Sequence, residues 1–276
     1  MTLRIALVQF TAGDDPAANT EALLRYVNAA ADGGARFVLT PEVSNIISSS
    51  RSHQEKALSL QEDDQTLKAL STLAKARGLW LLIGSLALKS GGERFLNRSF
   101  LITPEGNVAA HYDKIHMFDV ALGGGESYRE SAQFQPGNRA VLADTDIGKI
   151  GLTICYDLRF AHLHRTLAKA GAQIITVPAA FTVPTGKAHW HTLLKARAIE
   201  TGCFILAPAM VGQHSPKRAT YGHSLVVSPW GEVLSDAGTE QGVTFAELDL
   251  TLVADARAKI PALSHNREFT LDHNQQ

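Results

Sequence analysis

The sequence predicts a single layered α/β domain built on a mixed sheet. Short β-rich runs alternate with helical patterns from one end of the chain to the other, the arrangement in which helices cover sheet faces. Pieces at 98–112 and 222–234 read as hairpins, which a purely parallel sheet would not contain. The 276 residues hold no internal repeat, no low-complexity tract and no linker rich in Pro, Gly or Ser, so one domain spans 1–276.

The elements follow in order. Residues 5–10 read as a strand, and 16–31 as a helix that ends at Gly33-Gly34. Residues 37–39 form a second strand running into Thr40-Pro41-Glu42. Leucines at 67, 70 and 73 give 66–77 a helical spacing that stops at Gly78. Residues 80–87 are a continuous apolar run, as in a strand buried on both faces. Strands at 98–102 and 108–112 flank the Pro104-Glu105-Gly106 turn, and 119–137 reads as a long irregular loop. Residues 149–154 are a strand, 161–170 a helix, 174–177 a strand, 187–201 a long helix and 204–208 a strand. A last hairpin brackets Ser228-Pro229-Trp230-Gly231.

Composition narrows the class. With 26 basic against 27 acidic side chains, 45% hydrophobic and 19% charged residues, the chain is an ordinary globular one, neither disordered nor fibrous. The balanced charge argues against nucleic acid as a partner. Two cysteines, Cys155 and Cys203, are too few for a disulfide framework. The first ten residues lack the pattern of a secretory signal, and no apolar run reaches the roughly 18 residues of a membrane span, so a cytoplasmic protein is expected. The Asn97-Arg98-Ser99 triplet therefore carries no weight as a glycosylation site.

Three positions can carry chemistry. Cys155 ends the strand Gly151-Leu152-Thr153-Ile154 and precedes Tyr156-Asp157-Leu158-Arg159-Phe160 and a helix. A nucleophile on such a turn is exposed at the sheet edge, with the next backbone N–H facing a developing oxyanion. Nearby helix N-termini favour thiolate over thiol. A buried core cysteine is the competing reading, and is the better one for Cys203. Glu42 ends a strand and Lys114, in Tyr112-Asp113-Lys114-Ile115-His116, follows another. Each alone reads equally as a solvated loop charge.

Together, Glu42, Lys114 and Cys155, each at a strand end, resemble the nitrilase (carbon–nitrogen hydrolase) superfamily. The resemblance covers nearly the whole chain. It continues through residues 174–181, Gly186-Lys187-Ala188-His189-Trp190, Arg197-Ala198-Ile199-Glu200, Gly222-His223-Ser224 and Pro229-Trp230-Gly231-Glu232-Val233. It implies a four-layer αββα sandwich with mixed sheets, usually a homodimer, whose residues from about 255 to 276 contact the partner or form a flexible tail. It implies Glu42 as general base, Cys155 as nucleophile forming a thioester, and Lys114 as stabiliser of the tetrahedral intermediate, with the Tyr156 N–H as second oxyanion donor. Glu130 occupies the place of a further family glutamate that orients Lys114 or the substrate.

Tyr156-Asp157 after Cys155 is similar to the amidase branch, where nitrile-cleaving members carry Cys-Trp-Glu. The surrounding segments, among them 217–224, most resemble the deaminated-glutathione amidases, then the ω-amidases that hydrolyse α-ketoglutaramate; other small amides and carbamoyl compounds stay open. Arg159, four residues past the nucleophile, could clamp a substrate carboxylate bidentately or pair with Asp157. Lys217 and Arg218 could read a glycine carboxylate or be solvated charges. Phe181 and Thr182 are candidates for the pocket wall. Ala161-His162 stands where relatives often have Pro-Glu, which leaves specificity open.

Neither His162-x-His164 nor His189-x-His191 forms one ligand set, since helical residues two apart face different directions. Gly123-Gly124-Gly125 lacks a following Lys-Ser/Thr. No metal and no cofactor are expected. The competing classes are a Cys155–His189 thiol protease, a non-catalytic binding member, and an acyltransferase of the same superfamily.

Overall fold

The computed structural model describes residues 2–123, 126–216 and 218–273. In chain order the elements are β1 (Thr2–Gln9), α1 (Pro16–Asp32), β2 (Phe37–Leu39), α2 (Arg51–Ala57), α3 (Gln65–Arg77), β3 (Trp80–Lys89), β4 (Phe95–Ile102), β5 (Val108–Asp113), β6 (Asp119–Gly123) and β7 (Glu126–Arg129). There follow β8 (Val141–Thr145), β9 (Gly148–Leu152), α4 (Ala161–Lys169), β10 (Ile174–Thr176), α5 (Val183–Thr201), β11 (Phe204–Ala207), β12 (Val211–Ser215), β13 (Arg218–Tyr221), β14 (Leu225–Val227), β15 (Val233–Asp236), β16 (Gly242–Asp249) and α6 (Thr251–Lys259).

Two six-stranded mixed sheets carry the fold, ordered β16-β1-β2-β3-β4-β5 and β15-β14-β11-β10-β9-β8. They share one plan. Three inner strands run parallel, β1, β2 and β3 in the first sheet and β9, β10 and β11 in the second, with antiparallel strands at both flanks.

Strand alternation decides the layers. In β1, Leu3, Ile5 and Leu7 face the second sheet and share a core with Ile150, Leu152 and Ile174. Ala6 and Val8 turn outward to Leu23 and Val27 of α1, beside Leu67 and Leu70 of α3. Leu163 and Leu167 of α4, with Trp190 and Leu194 of α5, cover the second sheet. The result is the expected αββα sandwich, in which a strand such as β3 is buried on both faces and reads as one apolar run.

Several departures from the sequence reading bear on the site. Residues 119–137 are not one long loop: β6 and β7 pair antiparallel and a 3₁₀ turn, Glu130–Ala132, follows. Gly124 and Gly125 of the triple glycine lie outside the described residues, as does Lys217. α5 starts at Val183, with Pro184 in its first turn where a missing N–H costs nothing. Gly186 lets that turn close on β13, for a Cβ there would lie 2.2 Å from the Tyr221 ring. Strands β8, β12, β13 and β16 and helices α2 and α6 are further elements that the sequence reading does not place. Helix α6 runs to Lys259 with Ala256 buried, and Arg257 donates to the Ala172 and Thr201 carbonyls.

Candidate active site

Glu42 owes its position to an irregularity in β3. The β3–β4 register shifts between Ile83 and Leu86, which frees Gly84 and Ser85 for the loop after β2. The Gly84 N–H donates to Thr40 Oγ1 at 3.1 Å, the Ser85 N–H to the Pro41 carbonyl at 3.2 Å, and the Val43 N–H to Ser85 Oγ at 2.7 Å. A Cβ on Gly84 would lie 1.9 Å from the Thr40 carbonyl oxygen, so only glycine allows this approach. Val43 turns sharply at φ +44°, leaving Glu42 4% exposed.

Lys114 follows β5 and is tied to β4. Its N–H donates to the Asn97 carbonyl at 3.0 Å, while Arg98 and Asp113 beside it form a bidentate pair at 2.6 and 2.8 Å. Its ammonium donates to Glu42 Oε1 at 2.8 Å and to both Glu130 oxygens at 2.9 and 2.8 Å. The β6–β7 hairpin delivers Glu130, and the Phe118 N–H fixes its Oε2 at 2.6 Å.

Cys155 sits at φ +49° between β9 and a 3₁₀ turn, Cys155–Arg159. That conformation is strained for a side-chain-bearing residue, and anchors hold it. The Cys155 N–H donates to the Pro178 carbonyl at 2.9 Å, the Ile154 N–H to Asp157 Oδ2 at 2.9 Å, and Arg197 Nε to the Leu158 carbonyl at 2.9 Å. Past β10, the Ala180 N–H donates to Glu42 Oε2 at 2.9 Å.

Charge within the group follows from these contacts. Burial alone would raise the Glu42 pKa, but the Lys114 ammonium and hydrogen bonds from Lys114, Cys155 and Asn97 hold it below the ordinary carboxylate value. Burial opposes the Lys114 charge, yet Glu130 and Glu42 push its pKa well above the usual lysine value. Burial, with the Glu42 charge second, pushes the Cys155 thiol well up. The resting group is therefore carboxylate, ammonium and thiol. The thiolate that nearby helix ends were expected to favour is outweighed by desolvation and by Glu42. A charged carboxylate hydrogen-bonded to a thiol can take its proton as the sulfur attacks, and the ammonium can face the charge that develops.

A cavity of about 450 Å³ opens over these residues. Glu42, Lys114, Glu130, Cys155, Tyr156, Phe181 and Thr182, all singled out from the sequence, line it. Arg159 is not in its wall: the 3₁₀ turn carries the guanidinium to the Tyr156 and Phe181 rings, 5.9 and 5.6 Å from their centroids, and to His189 Nδ1 at 3.3 Å. Asp157 does not pair with it, being held by Tyr112, His116 and the Ile154 N–H. His189 is likewise absent from the wall, so the described site does not present the Cys155–His189 pair of a thiol protease.

Asn97 is the site residue that sequence reasoning missed. Its Nδ2 donates to Glu42 Oε1 at 2.9 Å and to Glu130 Oε1 at 3.2 Å, joining the two carboxylates that hold Lys114. The available signal was a polar residue inside an apolar strand, obscured by its place in a glycosylation-like triplet. The histidine pairs of the sequence also separate: His164 is buried, while His191 Nε2 and His223 Nδ1 both bond Asp236, each at 2.9 Å.

A model of the carbon–nitrogen hydrolase family matches residues 4–258. The chain belongs to that family. It is accordingly a hydrolase of carbon–nitrogen bonds other than peptide bonds. It is 37% identical to the deaminated glutathione amidase of Yersinia enterocolitica, over 95% of this chain and 92% of the relative. The crystal structure of the C. elegans NitFhit protein superposes with a TM-score of 0.90 at 36% identity, covering 96% of this chain and 65% of that one. An amidase from Nesterenkonia sp. AN1, with the acetamide moiety of fluoroacetamide covalently added at its active-site cysteine, superposes with a TM-score of 0.79 at 28% identity, covering 94% and 95% of the two chains. Among the described residues no helix is long and apolar enough to cross a membrane.

Proposed function

We propose that this chain hydrolyses the amide of deaminated glutathione to α-ketoglutarate and Cys-Gly through a cysteine thioester. The observation that carries the reading is the convergence of Glu42, Lys114 and Cys155 on one cavity in a chain 37% identical to a protein of that name. The Glu42 carboxylate takes the Cys155 proton as Sγ attacks the amide carbon. The resulting oxyanion lies against the Lys114 ammonium and the Tyr156 N–H. Protonated Glu42 gives its proton to the leaving nitrogen, the C–N bond breaks, and a thioester remains. Glu42 then deprotonates a water that attacks the thioester carbon. Collapse expels the sulfur, which regains a proton from Glu42.

Glu130 orients Lys114 in this scheme, and its carboxylate keeps the ammonium protonated while Glu42 carries a proton. Phe181 and Thr182 shape the wall. The working unit is a cytoplasmic homodimer, and the exposed Ile260, Phe269 and Leu271 near the C-terminus support a partner contact there.

The test is α-ketoglutarate release from deaminated glutathione and from α-ketoglutaramate, with Cys155→Ala as control. Preference for deaminated glutathione and no turnover by Cys155→Ala are expected. Preference for α-ketoglutaramate would instead make the chain an ω-amidase. Turnover by Cys155→Ala within tenfold of wild type would overturn the nucleophile.

A further inference from the structure

Arg218, at the start of β13, reaches the same cavity wall. Its Nη2 donates to the Ala180 carbonyl at 2.8 Å, and its guanidinium carbon lies 5.1 Å from the centre of the Tyr128 ring. Its Nη1 is buried, yet has no hydrogen-bond partner among the described residues. A buried guanidinium nitrogen without an acceptor is costly, and none of the ion pairs among the described residues involves Arg218. The Glu42 and Glu130 carboxylates in the wall are both bonded to Lys114. Three cations, Lys114, Arg129 and Arg218, thus line the cavity against two carboxylates.

We propose that Arg218 is the carboxylate-binding residue of the cavity, with its unpaired Nη1 completing a bond to an anionic group of the substrate. The guanidinium is fixed from two sides, by the Ala180 carbonyl and the Tyr128 ring, so little freedom is lost when it binds. Ala180 also sets the distance scale, since its N–H holds Glu42 Oε2 and its carbonyl holds Arg218. Arg218 is thereby tied through one residue, Ala180, to the Glu42 carboxylate. This inference rests on the amidase reading and assigns its acid-selecting residue to Arg218 rather than Arg159.

The acid can belong to the acyl part or to the amine part of the amide, and matched pairs separate the two. Glutaramate is compared with pentanamide, and N-pentanoylglycine with N-ethylpentanamide, in wild type, Arg218→Gln, Arg218→Lys and Arg159→Gln. The expected result is a fall of at least tenfold in the acid-to-neutral ratio of kcat/KM for one pair in Arg218→Gln. Arg218→Lys should recover part of that ratio. An unchanged ratio, or a larger change in Arg159→Gln, would overturn the assignment while leaving the amidase reading intact. A ratio is insensitive to any general loss of folded enzyme.

A binding measurement needs no turnover. Calorimetric titration of glutarate into Cys155→Ala should show binding, weakened at least tenfold by adding Arg218→Gln. Equal affinities, or no binding to either, would overturn the proposal even if the substrate reading failed for other reasons.

Discussion

The Tyr112 hydroxyl donates to Asp157 Oδ2 at 2.7 Å, bridging the two sheets two residues from Lys114 and two from Cys155. Asp157 Oδ1 takes the His116 N–H at 3.1 Å and its Nδ1 at 2.7 Å, so the acid grips both sides of Lys114. Asp157 is fully buried. Its two oxygens accept from a hydroxyl, two backbone N–H groups and an imidazole. Tyr112→Phe should cost about 1–3 kcal/mol, the range for leaving a buried acceptor without its donor. Urea unfolding measures it, and a change below about 0.5 kcal/mol would mean the bridge contributes little.

Asn97 acts on Lys114 through the two carboxylates. Asn97→Ala should lower kcat/KM by roughly a hundredfold, in line with about 1.5–3 kcal/mol for a hydrogen bond to a charged group. Asn97→Asp should do more damage, by setting a third carboxylate against Glu42 and Glu130. Steady-state rates for the two variants check this, and activity within twofold of wild type in Asn97→Ala would remove Asn97 from the site.

The pH profile follows from the direction of each shift. Glu42 is held below the ordinary carboxylate value, so the base stays charged, and kcat/KM should be flat from neutral pH down to below about pH 4.3. The Cys155 thiol is pushed up, so its alkylation by iodoacetamide should still be accelerating beyond about pH 8.5, the value of a free thiol. An acid limb near pH 6–7, or an alkylation plateau near pH 7, would contradict the carboxylate–thiol ground state.

His164 couples pH to stability. Burial, with the Arg197 charge behind it, pushes its pKa down to about 4, and its Nε2 has no hydrogen-bond partner among the described residues. Unfolded histidine titrates near about 6.5. Between about 4 and 6.5 the unfolded chain therefore binds more protons, and stability falls as pH drops through that window but not above it. The loss amounts to roughly 3 kcal/mol. Urea midpoints at pH 7.5 and 5 should differ in wild type and converge in His164→Leu.

Much of the fold is local in origin and so legible in the chain. The runs of β1 and β3, the leucine spacing of α3, and the glycines after α1 and α3 act through period and stop chemistry that neighbouring residues decide. Glu42, Lys114 and Cys155 each stand where a strand ends, but they point to one site only together, through the resemblance that also marks Glu130 and Tyr156, while Phe181 and Thr182 are candidates from their place after a strand end. The β6–β7 hairpin escaped because its strands are short and the sequence Gly123-Gly124-Gly125 reads as loop.

The sequence by itself determined the alternation of strands and helices, the charge balance and which residue types stand at the strand ends, since these depend on residue types and spacings along the chain. Only the tertiary structure decided which charges meet. Asn97 joins the two carboxylates because β4 pairs with β5. Asp157 serves Tyr112 and His116 because the two sheets face each other. Arg218 enters the cavity while Arg159 turns past it, because one lies on a strand packed against α5 and the other at the end of a 3₁₀ turn. Desolvation likewise depends on the packed neighbours rather than the residue type, and it is burial together with the Glu42 charge that keeps Cys155 a thiol.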